Sequence, residues 1–287
     1  MYAITGATGH VGGATAEHLL AANEPVRVVV RDADKGASWS GRGADVAVAD
    51  LGEPAALAEA LRGCRGVFVL LPTDPTGSDE DHRRLADHIA EGVAAAGVPH
   101  AVLLSSIGAD LADGTGPIRW LHHLENRLRA TGVLLTSIRS WHFQEKVEDV
   151  LDVAAGSGTF PVFGDSADVP TRMIATRDIG AVAAESLLSP PARSEIVDLD
   201  GPQYTERQVA DELAAVLGTT LQVTTVPRAG WVDALVDAGL PPAFAAELAE
   251  LYEAGERGIL QARGDRQRRC TTEIGDTLRR LTSSART

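Results

Sequence analysis

Positive charge is scarce in this 287-residue chain, and so are cysteine, tyrosine and lysine. Against 40 Asp and Glu there are 26 Lys and Arg, a net charge of −14. Such a surface repels a phosphate backbone and argues against nucleic acid as a partner. It suits a soluble protein with a small-molecule ligand. The two cysteines, Cys64 and Cys270, form no metal or redox spacing, which points to a reducing compartment. No apolar run is long enough to cross a membrane. The first strand-like run begins at residue 2, which leaves no room before it for a signal peptide. A cytoplasmic location is therefore expected. There are no repeats and no low-complexity linker. Asp79-Glu80-Asp81-His82 reads as an acidic helix start, and no metal site is expected.

What the chain does have is glycine in one telling place. Tyr2–Thr5 is short, apolar and β-prone. From residue 10 to 22, Val11, Ala14, Thr15 and Leu19 fall at helical spacing. Val26–Val30 is a second β-branched run. Gly6-Ala7-Thr8-Gly9-His10-Val11-Gly12 forms the turn of this β-α-β unit. Gly6 permits the tight turn, Gly9 lets backbone approach a diphosphate, and Gly12 lets the helix pack closely on the strand. The free N–H groups and the positive end of the helix then face an anion. The strand before and the helix after give the motif the context that dinucleotide binding requires.

Sites that take NAD commonly end the second strand with an acid on the adenosine ribose. Here Arg31 stands 19 residues after Gly12, with Lys35 one turn on. Two cations suit a ribose 2′-phosphate, so NADP is favoured. The neighbouring Asp32 keeps NAD open.

Alternation continues with strands over 45–49, 66–71, 101–104 and 133–139, and helices over 53–62, 78–96 and 117–131. Six strands and their helices predict an α/β fold: a Rossmann-type doubly wound parallel sheet, with ligands beyond the carboxyl ends of the strands. That edge gathers Gly6 to Gly12, Arg31, Asp50, Leu71, Pro72, Ser105, Ser106 and the run from Arg139 to Phe143. After about residue 140 the rhythm loosens. A short helix over 143–151, helices over 177–188, 205–217 and 231–260, the last broken at Gly239-Leu240-Pro241-Pro242, and strands over 195–198 and 221–226 predict a smaller α/β lobe. The division expected is a cofactor domain over 1–150 and a substrate lobe over 151–287, with parts of 175–200 returning to the first. The tail from 263 to 287 is polar and Arg-rich, which predicts partial mobility.

The ordered pieces TGATGHVGG, VVVRDADK, VAD, LLPTDP, VLLSSIGA, LENRLRATGVLLTSIR and TRDIGAVAAESL resemble those of an atypical short-chain dehydrogenase/reductase of the NmrA-like kind. The likeness spans roughly residues 1–190. It implies that Gly6, Thr8, Gly9, His10, Val11 and Gly12 hold the diphosphate and that Arg31 and Lys35 hold the 2′-phosphate. Asp50 and Leu51 would lie by the adenine, and Leu71, Pro72 and Ser105 along the second ribose and nicotinamide. The family mixes quinone and azo reductases, biosynthetic reductases and redox-sensing regulators.

Standard members reduce carbonyls with a tyrosine acid and a lysine four residues later. This chain has only Tyr2, Tyr204 and Tyr252, followed four residues on by Gly6, Gln208 and Glu256, and its only lysines are Lys35 and Lys146. The dyad is absent. Its lysine position falls at Leu121, or at His122 with a one-residue shift. Ser106, His122 and His123 are the candidates left for a polar catalytic role, although both histidines also read as ordinary helix residues beside a core stripe of Leu121, Leu124 and Leu128. Glu125 and Arg139 read as an internal ion pair. Ile107, Trp141, His142, Phe143 and Lys146 are the candidate pocket wall. A quinone or conjugated acceptor yields a stabilised anion and needs less help from an acid than a ketone does. The reading is therefore an NADP(H)-dependent oxidoreductase for quinone-like or conjugated small molecules. The alternatives are a cofactor-sensing regulator with little turnover or a non-redox biosynthetic enzyme.

Overall fold

A computed structural model describes residues 1–284. The first half runs β1 (Tyr2–Thr5), α1 (His10–Ala21), β2 (Val26–Val30), α2 (Ala33–Ser40), β3 (Asp45–Val48), α3 (Pro54–Leu61) and β4 (Gly66–Val69). It continues with α4 (Asp79–Ala96), β5 (His100–Ser106), α5 (Ile118–Ala130) and β6 (Leu134–Ser140). Punctuation in the sequence explains the boundaries. Ser78 and Asp81 make a capping box at the start of α4, and Gly97 ends it in the left-handed conformation. The helix α2 carries no clear periodic signal. It forms because Asp32 caps it and Trp39 buries beneath it.

The second half gives β7 (His142–Phe143), a 3₁₀ turn at Gln144–Val147, α6 (Glu148–Ser157), β8 (Thr159–Phe163), β9 (Thr171–Ile174) and α7 (Thr176–Leu188). There follow β10 (Glu195–Asp200), β11 (Gln203–Tyr204), α8 (Glu206–Leu217), β12 (Gln222–Val226), α9 (Trp231–Asp237), α10 (Pro242–Glu256), β13 (Arg266–Arg269) and α11 (Ile274–Ser284).

Eight parallel strands form the main sheet in the order β13-β10-β6-β5-β4-β1-β2-β3. The doubly wound expectation holds, with two more strands than the six first read. The order reverses between β1 and β4, so the crevice opens where the glycine turn leaves β1. Side chains alternate between faces. Val102 of β5 joins Ile4, Phe68 and Ile138 beneath α1 and α7, while Ala101 and Leu103 join Leu57, Ile89 and Leu124 beneath α3, α4 and α5. A third cluster, with Phe160, Val162, Leu213, Ile274 and Leu278, lies among α6, β8, α8 and α11.

Three local expectations change. The helix read over 143–151 is a two-residue strand, a 3₁₀ turn and then α6, because Gln144 and Glu145 turn inward and are buried. In α5 the buried stripe is Trp120, Leu124 and Leu128, and Leu121 is only half-buried. The tail, read as partly mobile, carries β13 and α11 as far as it is described. Arg266 pairs with Glu195 along the sheet edge, and Ile274, Thr277 and Leu278 bury one face of α11. Residues 285–287 of that segment lie outside the described residues.

Candidate active site

The glycine turn sits at the carboxyl end of β1. Gly6 has φ +64, and a β-carbon there would lie 2.5 Å from Leu70. A β-carbon at Gly12 would lie 2.6 Å from the Gly6 carbonyl carbon and 2.8 Å from the Thr5 carbonyl oxygen. Only glycine lets α1 come this close to β1. Gly9 caps α1 without a side-chain hydrogen bond, and no acid stands in the first turn. The first amides of α1 are therefore left for an anion. Thr8, Gly9 and His10 are exposed on the rim, and Val11 and Gly12 are buried under it. This is a cradle that a diphosphate fits. Across it, His10 Nε2 meets Glu148 Oε2 of α6 at 2.8 Å, so the second half of the chain reaches over the turn.

At the end of β2, Arg31 and Lys35 are both exposed, and their side chains have no hydrogen-bond or ion-pair partner among the described residues. Asp32 is occupied differently. Its Oδ1 accepts the Asp34 N–H at 3.0 Å as the cap of α2. Asp50, after β3, is exposed and accepts the Gly52 N–H at 2.8 Å, with Leu51 half-buried beside it. After β4, Leu71 is half-buried and Pro72 exposed.

The ends of β5 and β6 are joined by a buried charge cluster. Register sets Ser105 opposite Arg139 and Ser106 opposite Ser140. Glu125, 1% exposed, accepts from Arg139 at 2.8 and 2.9 Å, from Arg129 at 2.9 Å and from the Ser105 hydroxyl at 2.6 Å. Glu125 and Arg139 thus form an internal bidentate pair. Asp198 of β10, also buried, accepts the Gly264 N–H at 2.6 Å, and burial pushes its pKa above the ordinary carboxylate value. The Ser106 hydroxyl is half-buried and donates to the Ile107 carbonyl at 3.1 Å, while the Ile107 N–H bonds to Ser140 O at 3.0 Å.

The two α5 histidines are engaged elsewhere. His122 Nδ1 donates to the Ala109 carbonyl at 2.9 Å, and its Nε2 accepts from Asn126 at 2.9 Å. His123 Nε2 lies 2.8 Å from Asp87. Of the candidate wall, Ile107 is buried, while Trp141 and Phe143 are half-buried against the main core, and Arg172 stacks over Trp141. His142 and Lys146 are exposed, and Lys146 pairs with Asp149 at 3.2 Å.

Sequence reasoning passed over several residues that hold the site together. Gln144 Nε2 donates to the Met173 and Thr272 carbonyls, and its Oε1 accepts from Thr277. Glu145 accepts the Thr176 N–H at the start of α7. Asp178 accepts from Thr271 and Thr272. These contacts span roughly 30 to 130 positions and leave no local pattern to read. No helix among the described residues is long and apolar enough to cross a membrane.

Residues 6–190 match a family model described as NAD(P)H-binding. The chain is 32% identical over 225 residues to a (4-alkanoyl-5-oxo-2,5-dihydrofuran-3-yl)methyl phosphate reductase of Streptomyces griseus, covering 77% of this chain and 76% of that protein. It is 28% identical over 253 residues to an NAD(P)H azoreductase of Xenophilus azovorans, covering 88% and 86%. Its fold superposes on the NADPH-dependent quinone oxidoreductase of Escherichia coli, solved with NADPH, with a TM-score of 0.81 at 24% identity, covering 98% of this chain and 100% of that one.

Proposed function

The chain belongs to the NAD(P)H-binding family, and from that premise we propose that it is an NADPH-dependent oxidoreductase of quinone-like or conjugated small molecules. The observation that carries the redox reading is the glycine turn, with open α1 amides at the switch point of the sheet, in a chain that lacks the Tyr/Lys dyad. The cofactor, once bound, supplies the hydride. The protein binds, orients and excludes water. Gly6 to Gly12 cradle the diphosphate. Arg31 and Lys35 take the 2′-phosphate, a role supported by the lack of side-chain partners for either among the described residues and by the commitment of Asp32 to its cap. Ser105, held by Glu125, lies by the second ribose and nicotinamide.

The acceptor class follows from what is missing. A ketone becomes an alkoxide and needs an acid at hand. A quinone or an enone spreads its charge and needs less help. The azoreductase and the furanone phosphate reductase among the relatives support a conjugated acceptor. The segment beyond about residue 150, with its own apolar cluster, is assigned to hold the substrate. The NmrA-like regulator is the other reading, and one assay separates the two. NADPH oxidation is followed with a panel of quinones, enones and simple ketones. Turnover with quinones or enones is expected. Turnover with simple ketones alone would refute the acceptor assignment, and tight NADPH binding with no turnover would favour a regulator.

A further inference from the structure

Three tyrosines stand in the chain, and two are tied down. The Tyr2 hydroxyl accepts from Arg65. The Tyr204 hydroxyl donates to Glu273 and accepts the Ile274 N–H at 3.1 Å. Tyr252, on α10, is half-buried, and its hydroxyl has no hydrogen-bond partner among the described residues. The hydroxyl is not fully buried, and so it is open to a ligand. The ring itself is firmly held, tilted against Phe163 at 5.4 Å and edge-on to Trp231 at 5.6 Å between centroids.

The helix that carries this hydroxyl packs beside the loop that leaves the end of β5. One side of α10 lies along the loop that follows Ser105 and Ser106. Arg119 pairs there with Glu247, the Gly116 N–H donates to Glu250 at 3.0 Å, and a β-carbon at Gly116 would run into the Glu247 carbonyl. Further on, Leu260 packs over Gly108 and Arg263 pairs with Asp110 at 2.7 Å. On its small-lobe side, Tyr252 feels the carboxylates of Asp149 and Glu206. Asp149 adjoins Glu148, the residue that reaches His10 on the cofactor turn, and pairs with Lys146 beside the exposed His142. Tyr252 thus stands on a helix packed against the loop after Ser106, within electrostatic reach of the α6 turn that touches the cofactor cradle. Burial and the two carboxylates push its pKa up to about 12, so it keeps its proton at any working pH.

We infer that Tyr252 is a substrate-binding residue whose O–H donates a hydrogen bond to the acceptor oxygen of a quinone-like substrate, from the opposite lobe to the one that carries the family's missing tyrosine. This rests on the oxidoreductase reading. Hydride transfer to a quinone leaves NADP⁺ and a hydroquinone monoanion, which takes one proton from water. Tyr252 meets the charge that builds on the oxygen and does not itself give up its proton.

The test is Tyr252→Phe, which keeps the ring contacts with Phe163 and Trp231. Two acceptors are compared: a benzoquinone, and a cationic triarylmethane dye whose accepting carbon bears no oxygen. Loss of a hydrogen bond to a developing anion should lower kcat/KM for the quinone about tenfold to a hundredfold. Dye turnover, NADPH affinity and melting temperature should stay as in the unaltered protein. Unchanged quinone turnover, or an equal loss with both acceptors, would overturn the role of Tyr252 while leaving the oxidoreductase reading intact. Failure of the unaltered protein to reduce either acceptor would overturn that reading and this inference with it.

Discussion

Arg31→Ala is the perturbation that bears most directly on the choice of cofactor. Arg31 is exposed and makes no ion pair or hydrogen bond among the described residues. Its removal therefore breaks nothing in the fold, and surface changes of this kind usually move stability by less than about 0.5 kcal/mol. Its effect should fall on the ligand alone. A hydrogen bond to a charged group contributes about 1.5–3 kcal/mol, so NADPH should bind about 10–100-fold more weakly. NADH lacks the 2′-phosphate and should be little affected. Lys35→Ala should act in the same direction but less, because a mobile ammonium clamps phosphate less well than a planar guanidinium. The rival arrangement has Asp32 on the ribose hydroxyls, which would require it to leave the Asp34 N–H that it now caps. That arrangement predicts NADH preferred by the unaltered protein and no selective loss in Arg31→Ala. The assay is a titration of both cofactors against both proteins, read by nicotinamide fluorescence. Equal weakening of NADH and NADPH would refute the reasoning, because it would mean a disturbed loop and not a lost phosphate contact.

Gly12→Ala drives a β-carbon into the Gly6 and Thr5 carbonyls; it should cost about 1–3 kcal/mol by overpacking and abolish NADPH binding, as checked by thermal melting with and without cofactor. Glu125→Ala leaves Arg139 buried without its bidentate partner, and a loss of about 3–5 kcal/mol is expected in urea unfolding. His100 is 1% exposed, and burial lowers its pKa from 6.5 to about 4, against a smaller upward pull from Glu195. The unfolded chain therefore takes up the proton first. The stabilisation is complete above pH 6.5 and is lost as the pH falls towards 4, by at most about 3 kcal/mol. Urea midpoints of the unaltered protein should fall across that window, and those of His100→Gln, which lacks the titrating group, should fall less; parallel curves would clear His100 as the cause.

Much of the fold was legible along the chain because its signals are local. Apolar runs of four to seven residues marked β1 to β6, glycine and proline marked the helix ends, and the glycine turn could be recognised from one strand and one helix. The cation pair at Arg31 and Lys35 is local too, since the end of one strand carries both. The missing dyad needed only a search for tyrosines and lysines. The outer part of the sheet was not legible. The strand Arg266–Arg269 is fully polar and exposed, and becomes a strand only because β10 offers it an edge and Glu195 a partner. The same holds for Gln144, Glu145 and Asp178, whose roles are to satisfy backbone groups far away in sequence. From sequence Asp32 could be read only as a possible ribose ligand, and its capping of α2 emerged from the backbone path of that helix. Composition set all three tyrosines side by side as equals. Hydrogen bonding between distant segments consumed the hydroxyls of Tyr2 and Tyr204 and, among the described residues, spared that of Tyr252. Periodicity and turn chemistry act over one or two turns of chain, so sequence alone determined the six inner strands and the glycine turn, while the strand order and its switch point came from the fold. Which polar groups remain free to act depends on pairings across a hundred residues, and those only the tertiary structure decided.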